Sequence, residues 1–196
     1  MVLLPCSLKI LRFKQKKFRY RQIFPILLSL FCSNSIHKLL AMTTVLLWAM
    51  MILYSFHFAG HLHNALTNIP NWSSGSMEDM NRYANFCHKA TNTRFFAPVI
   101  LATILVGIIA LFYVWYQGDF VRNIVAIDLL ISILVLIGVF TVFKPMNEYF
   151  AQQHYEAVPL KKMVTKWIAY NYVRMFIILI GFILSIWNLT SFQHAS

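Results

Sequence analysis

The sequence predicts an all-α integral membrane protein, an up-and-down bundle of four helices, and three observations carry that prediction. Of its 196 residues, 59% are apolar and only 12% charged, about half the charged share of a typical soluble domain. Four apolar segments, at about 43–66, 95–116, 121–143 and 167–189, each supply the ~20 residues that cross ~30 Å of hydrocarbon at ~1.5 Å per residue. Only Gln117-Gly-Asp-Phe120 separates the second segment from the third, which makes a tight helical hairpin. Helices are the expected form, because isolated strands leave their backbone groups unsatisfied in lipid. A mean hydropathy of +0.63 agrees. The composition excludes a soluble nucleic-acid binder. Cys6, Cys32 and Cys87 share no metal-binding spacing, and an odd count argues against a disulfide framework.

The net charge of +11 is unevenly distributed. Residues 1–41 hold eight bases and no acid, whereas 42–196 hold nine bases and six acids. The first stretch is a basic tail and the second a four-span domain. Within the tail, Ile23 to Cys32 is too short to span a membrane and is interrupted by Pro25. Three readings stay open for it: a signal peptide, a segment on an anionic membrane surface, or a leader to a true start at Met42. The start site decides orientation. Counted from Met42, the long loops carry most Lys and Arg and belong in the cytoplasm, while counting the tail reverses this.

The first span carries Tyr54-Ser-Phe-His-Phe-Ala-Gly-His-Leu-His-Asn64. His57 and His61 are four residues apart and share a helix face, Asn64 returns near it, and His63 points elsewhere. Two imidazoles so spaced suit zinc, copper, iron or a haem iron. They equally suit a hydrogen-bonded polar seam or proton transfer. The second span opens with Phe95-Phe-Ala-Pro98 and ends at Trp115 and Tyr116, rings that favour the membrane interface. Asp128, about two turns into the third span, has no partner visible in the sequence. The loops Thr67–Arg94 and Lys144–Lys166 fall on one side of the membrane, because two spans separate them. Pro159 suits the start of a fourth helix that leads into the apolar segment.

A second polar seam runs from Gly138-Val-Phe-Thr-Val-Phe-Lys-Pro-Met-Asn147 into Trp167-Ile-Ala-Tyr-Asn-Tyr-Val-Arg174. Trp167, Asn171 and Arg174 lie on one stripe, and Arg174 is about two turns inside the apolar segment. A charge at that depth faces the bundle interior or snorkels to the headgroups. The shared stripe with Asn171 favours a buried network. Both seams and both loops converge on one membrane face, which places a pocket there.

These residues carry a family resemblance. Thr141 near the end of the third helix, Pro-x-Asn at Pro145–Asn147 and Trp-x-x-x-Asn-x-x-Arg at Trp167–Arg174 resemble the anthrone-oxygenase-like family of small four-span membrane proteins. The resemblance covers about residues 43 to 190. Ile69-Pro-Asn-Trp72 and Phe95-Phe-Ala-Pro98 look like a divergent bacterial branch, which implies a bacterial cytoplasmic membrane. The histidine-rich first span departs from the small-residue helix of better-studied members. What the resemblance implies is O₂-dependent oxidation of a flat lipophilic anthrone or quinol-like aromatic, the lipid bilayer being the surroundings. Under that reading His57 or His61 is the base, with Asn171, Arg174 and Asn147 orienting oxygen atoms. Trp72, Trp167 and Asn64 contact the substrate, and any metal is held by His57 and His61. The alternative is a non-catalytic accessory or lipophile-binding membrane protein, its histidines and Arg174 serving helix packing.

Overall fold

The structure, a computed structural model, describes residues 23–89, 93–115, 117–151 and 156–195. Most of the basic tail expected over 1–41 lies outside the described residues. Helix α1 (Ile23–His63) runs unbroken across residue 42, continues through a π-helical turn at Asn64–Asn68 and closes in a 3₁₀ turn at Ile69–Asn71. Helix α2 (Met77–Lys89) is short and amphipathic, α3 (Thr93–Val114) is apolar, and α4 (Asp119–Gly138) passes through a second π-turn at Val139–Phe143 into α5 (Lys144–Ala151). Helix α6 (Ala157–Ala195) starts two residues before Pro159.

Four of these runs, His37–Asn71, Arg94–Val114, Asp119–Ala151 and Pro159–His194, are long and apolar enough to cross a membrane. The chain is therefore an integral membrane protein, an all-helical bundle in which α1, α3, α4 and α6 pack as a ring. The spans extend beyond the apolar segments because the polar residues at their ends stay helical. The hairpin falls where expected: Gly118 takes φ 141° between α3 and α4, a value costly for any other residue.

Each helix turns a narrow stripe inward. On α1 and the π-turn that continues it, the stripe is Leu47, Met50, Tyr54, His57, His61 and Asn64, all buried. On α6 it is Leu160, Val164, Trp167, Asn171, Ile178, Ser185 and Asn188, again all buried. Steps of three, four and seven residues put both stripes on a ~3.5-residue period, the seam of left-handed bundles. The outer faces keep Leu105, Phe112, Leu130, Phe176 and Trp187 more than half exposed, as hydrocarbon contact requires.

Mid-bundle, α1 and α4 are joined by a polar knot. The Tyr54 hydroxyl bonds the Asp128 carbonyl oxygen at 2.5 Å and lies 2.8 Å from Ser132 Oγ. The Tyr54 ring fits because residue 181 is glycine, whose absent Cβ would otherwise overlap that ring. The Asp128 side chain is fully buried, and its carboxylate oxygens have no partner among the described residues.

The long-loop face has its own small core. Trp72, Met80, Phe150, Leu160, Val164 and Trp167 pack together there, tying α2 and α5 to the start of α6. Helix α2 begins on a polar cap in which the Ser76 hydroxyl accepts from the Asp79 N–H at 3.1 Å. The Ser74 hydroxyl donates to the Asp79 carboxylate. These two hydroxyls hold the Asp79 carboxyl below its ordinary value of 3.8.

Two outcomes are expected for stability. Tyr54→Phe removes the buried hydroxyl and costs about 1 kcal/mol, while Gly181→Leu overpacks the same spot and costs more, about 1–3 kcal/mol; thermal unfolding in detergent, followed by circular dichroism, ranks them. A depressed carboxyl stabilises the folded state above its unfolded pKa and loses that contribution as pH falls through the folded value. The first turn of α2 should therefore be protected near neutral pH and loosen below 3.8. Asp79→Asn should abolish this acid dependence in hydrogen exchange referenced to intrinsic rates.

Candidate functional site

A cavity of about 620 Å³ lies between the ring of spans and the loop-side cap, lined by α1, α2, α3, α4, α5 and α6. Its polar wall is His57, His61, Asn64 and Arg174, and its apolar wall is mainly Phe96, Ile100, Leu136, Phe143 and Phe150.

Arg174 organises the polar wall. Its Nη2 donates to Asn171 Oδ1 at 2.8 Å and stands 3.5 Å from His61 Nδ1. The guanidinium carbon lies 3.8 Å from the centre of the Phe143 ring, a cation–π contact. Arginine has no acceptor, so both neighbours must present lone pairs to it. Asn171 turns its oxygen toward Arg174, and His61 accepts at Nδ1, which puts the imidazole proton on Nε2. His61 Nε2, Arg174 Nε and Asn171 Nδ2 are then three buried donors without a partner among the described residues. A buried donor left unpaired costs about 1–3 kcal/mol. All three are enclosed in the protein behind the cavity surface.

His57 has a different role in the same stripe. Its ring centre is 5.1 Å from that of His61, tilted by 37°, and it lines the cavity without a hydrogen bond among the described residues. His61 stacks on Phe96 at 4.2 Å. The close approach of α3 that this needs depends on Gly60, since a Cβ there would come within 2.5 Å of the Phe95 ring and 3.0 Å of the Phe96 ring.

Most of the residues expected from the sequence come together. His57, His61, Asn64, Asn147, Trp167 and Arg174 line one cavity, and Asn171 stands behind Arg174 as its acceptor. Asn147 and Trp167 are coupled directly, the indole N–H donating to Asn147 Oδ1 at 3.0 Å. Trp72 is outside the cavity lining. It is fully buried in the loop-side core, edge-on to Trp167 at 5.0 Å and stacked on Tyr83 at 4.8 Å, so it supports the Trp167 wall from behind. Thr141 faces outward and donates to the Ile137 carbonyl at 2.9 Å within the π-turn.

As donors for a metal ion, His57 and His61 are poorly placed. No group of three His, Cys, Asp or Glu side chains gathers among the described residues. The Arg174 guanidinium already occupies His61 Nδ1, and its charge opposes a second cation there.

Sequence reasoning missed Phe96, Phe143 and the two π-turns. Gly60, a small residue between the two histidines, is the signal that marked a close helix approach. Nothing in the sequence marked Phe143 as the ring beneath Arg174. Replacing Gly60 with Leu should displace Phe96 and unstack His61. The check is the His61 ring-proton resonance in histidine-labelled protein, which should lose its ring-current shift.

Compared with known proteins, the chain matches no protein-family model, no curated protein and no solved structure.

Proposed function

We propose that the cavity binds a flat, lipophilic, oxygen-bearing aromatic and oxidises it with O₂, as an anthrone oxygenase does. The observation that supports this most is the presence of Arg174 and His61 together in the lining of an aromatic-walled cavity. Such a wall suits a carbonyl or phenolate oxygen, and above all one that gains negative charge during reaction. His57, lining the same cavity with no hydrogen bond among the described residues, is the base.

In the reaction, His57 takes a proton from the ring methylene para to the carbonyl of an anthrone. The charge spreads onto the carbonyl oxygen, where the Arg174 guanidinium of the cavity wall meets it. The electron-rich ring carbon adds O₂ and regains a proton as a hydroperoxide. That species loses water, so that one oxygen atom becomes the new carbonyl and the other leaves as water. The substrate carbon loses two hydrogens and is oxidised by four electrons, and O₂ takes up all four, one oxygen atom ending in the carbonyl and the other in water. Asn171 and Phe143 act as positioning residues that hold the guanidinium. The family resemblance supports the bacterial cytoplasmic membrane as the location.

The test is anthrone oxidation by the full chain in phosphatidylcholine vesicles, read as quinone absorbance and O₂ uptake above the protein-free rate. His57→Gln should lower turnover by about 10²–10⁴ through loss of the base, and Arg174→Leu by about 10²–10³ through loss of the oxyanion donor. Oxygen from ¹⁸O₂ should appear in the quinone. Binding of hydroxyanthraquinone with no oxidation would assign the chain to the lipophile-binding alternative, and unchanged turnover in both variants would overturn the roles of His57 and Arg174.

A further inference from the structure

We infer that the cavity opens sideways into the bilayer, through a gap between α3 and the Val139–Phe143 turn, and draws its ligand from the hydrocarbon. The inference rests on the cavity being the binding site proposed above and names the route and phase from which that site is filled.

The geometry points to this gap from both sides. Helices α3 and α4 are tied at one end by the Gly118 hairpin and approach closely at Gly107, where an added Cβ would lie 3.3 Å from the Leu129 side chain. Toward the other end the cavity occupies the space between them. Its lining there includes Ala97, Ile100 and Leu101 of α3, Leu136 of α4, and Val139 and Phe140 of the π-turn that follows it. Leu101 is 57% exposed and Phe140 60% exposed, so the cavity that reaches Arg174 also reaches the outer surface of the bundle.

That surface faces lipid. Leu101 is seven residues inside the span that starts at Arg94, ~10 Å along the helix axis. Both helices are interrupted at this level. Pro98 removes one backbone N–H from the first turns of α3, and the π-turn inserts an irregular ring into α4. Interruptions of this kind let helices part while their backbones stay satisfied. The rim at the aqueous side differs in chemistry: Lys144 and Glu148 lie 3.9 Å apart there, beside Asn147. An apolar rim admits a membrane-dissolved aromatic with its oxygen end leading toward Arg174, and the polar rim is where water leaves.

The experiment uses the full chain in vesicles of phosphatidylcholine bearing a diazirine midway along one acyl chain. After photolysis, peptides are mapped by mass spectrometry. Carbene adducts on the inward residues Phe143 or His61, in addition to the outward Phe112 and Phe176, are the expected result. Ala97→Phe, which fills the gap, should lose the inward adducts and keep the outward ones, and the retained adducts show that the variant is folded. Leu101→Trp serves the same purpose if Ala97→Phe does not insert, and Leu105→Phe, outside the lining, should label like wild type. Labelling confined to outward residues in the wild type overturns the inference, as does inward labelling unaffected by Ala97→Phe and Leu101→Trp. A chain that takes inward adducts yet oxidises no anthrone refutes the oxidation and upholds the lateral route.

Discussion

A guanidinium inside a membrane bundle is the constraint around which the rest of this structure is arranged. Moving an arginine to the centre of a membrane helix costs about 3 kcal/mol or more. Arg174 meets that cost with a charge-assisted hydrogen bond to Asn171, worth about 1.5–3 kcal/mol, and a desolvated cation–π contact with Phe143, worth about 2 kcal/mol. These contacts come from α6 itself and from the π-turn beyond α4, and His61 of α1 completes the ring around the charge. Three of the four spans are thus committed to one side chain. Because arginine only donates, it also fixes which way Asn171 points and which nitrogen of His61 carries the proton.

The irregular parts of the helices serve this arrangement. The π-turn at Val139–Phe143 ends with Phe143 beneath the guanidinium. The other π-turn, Asn64–Asn68, carries the buried stripe on from His57 and His61 to Asn64 and leads into the loop-side core. Gly60 lets α3 bring Phe96 onto His61, and Gly181 lets α6 receive Tyr54. The bundle is tight where α3 and α4 meet at Gly107 and open where Pro98 and the π-turn interrupt them. A cavity that reaches the outer surface of the bundle follows from that difference, walled by aromatic rings and by Arg174 and His61.

Much of the fold was legible in the sequence because membrane insertion leaves few choices. Runs of ~20 apolar residues must be helices, and four residues between two of them must be a hairpin. The seam of Trp167, Asn171 and Arg174 was legible for a similar reason, since polar side chains in a span turn away from lipid. Trp72 shows the limit. Its type suits stacking on a ligand, but an indole stacks as well on Tyr83 and Trp167, and burial in the loop-side core decided between them. Helical spacing is equally blind to the cation that α6 brings beside His57 and His61.

By itself the sequence determined that this chain is helical, spans a membrane four times and turns two polar seams toward one face. Local periodicity and the lack of backbone partners in hydrocarbon are sufficient for that. Only the tertiary structure decided what the seams do to each other. Arg174 lies 113 residues from His61, and no local rule links them. Their contact requires the close approaches that Gly60 and Gly181 allow and a π-turn whose register no periodicity announces. The pairing of seams into one polar wall is a property of packing, and so is the gap through which lipid reaches it.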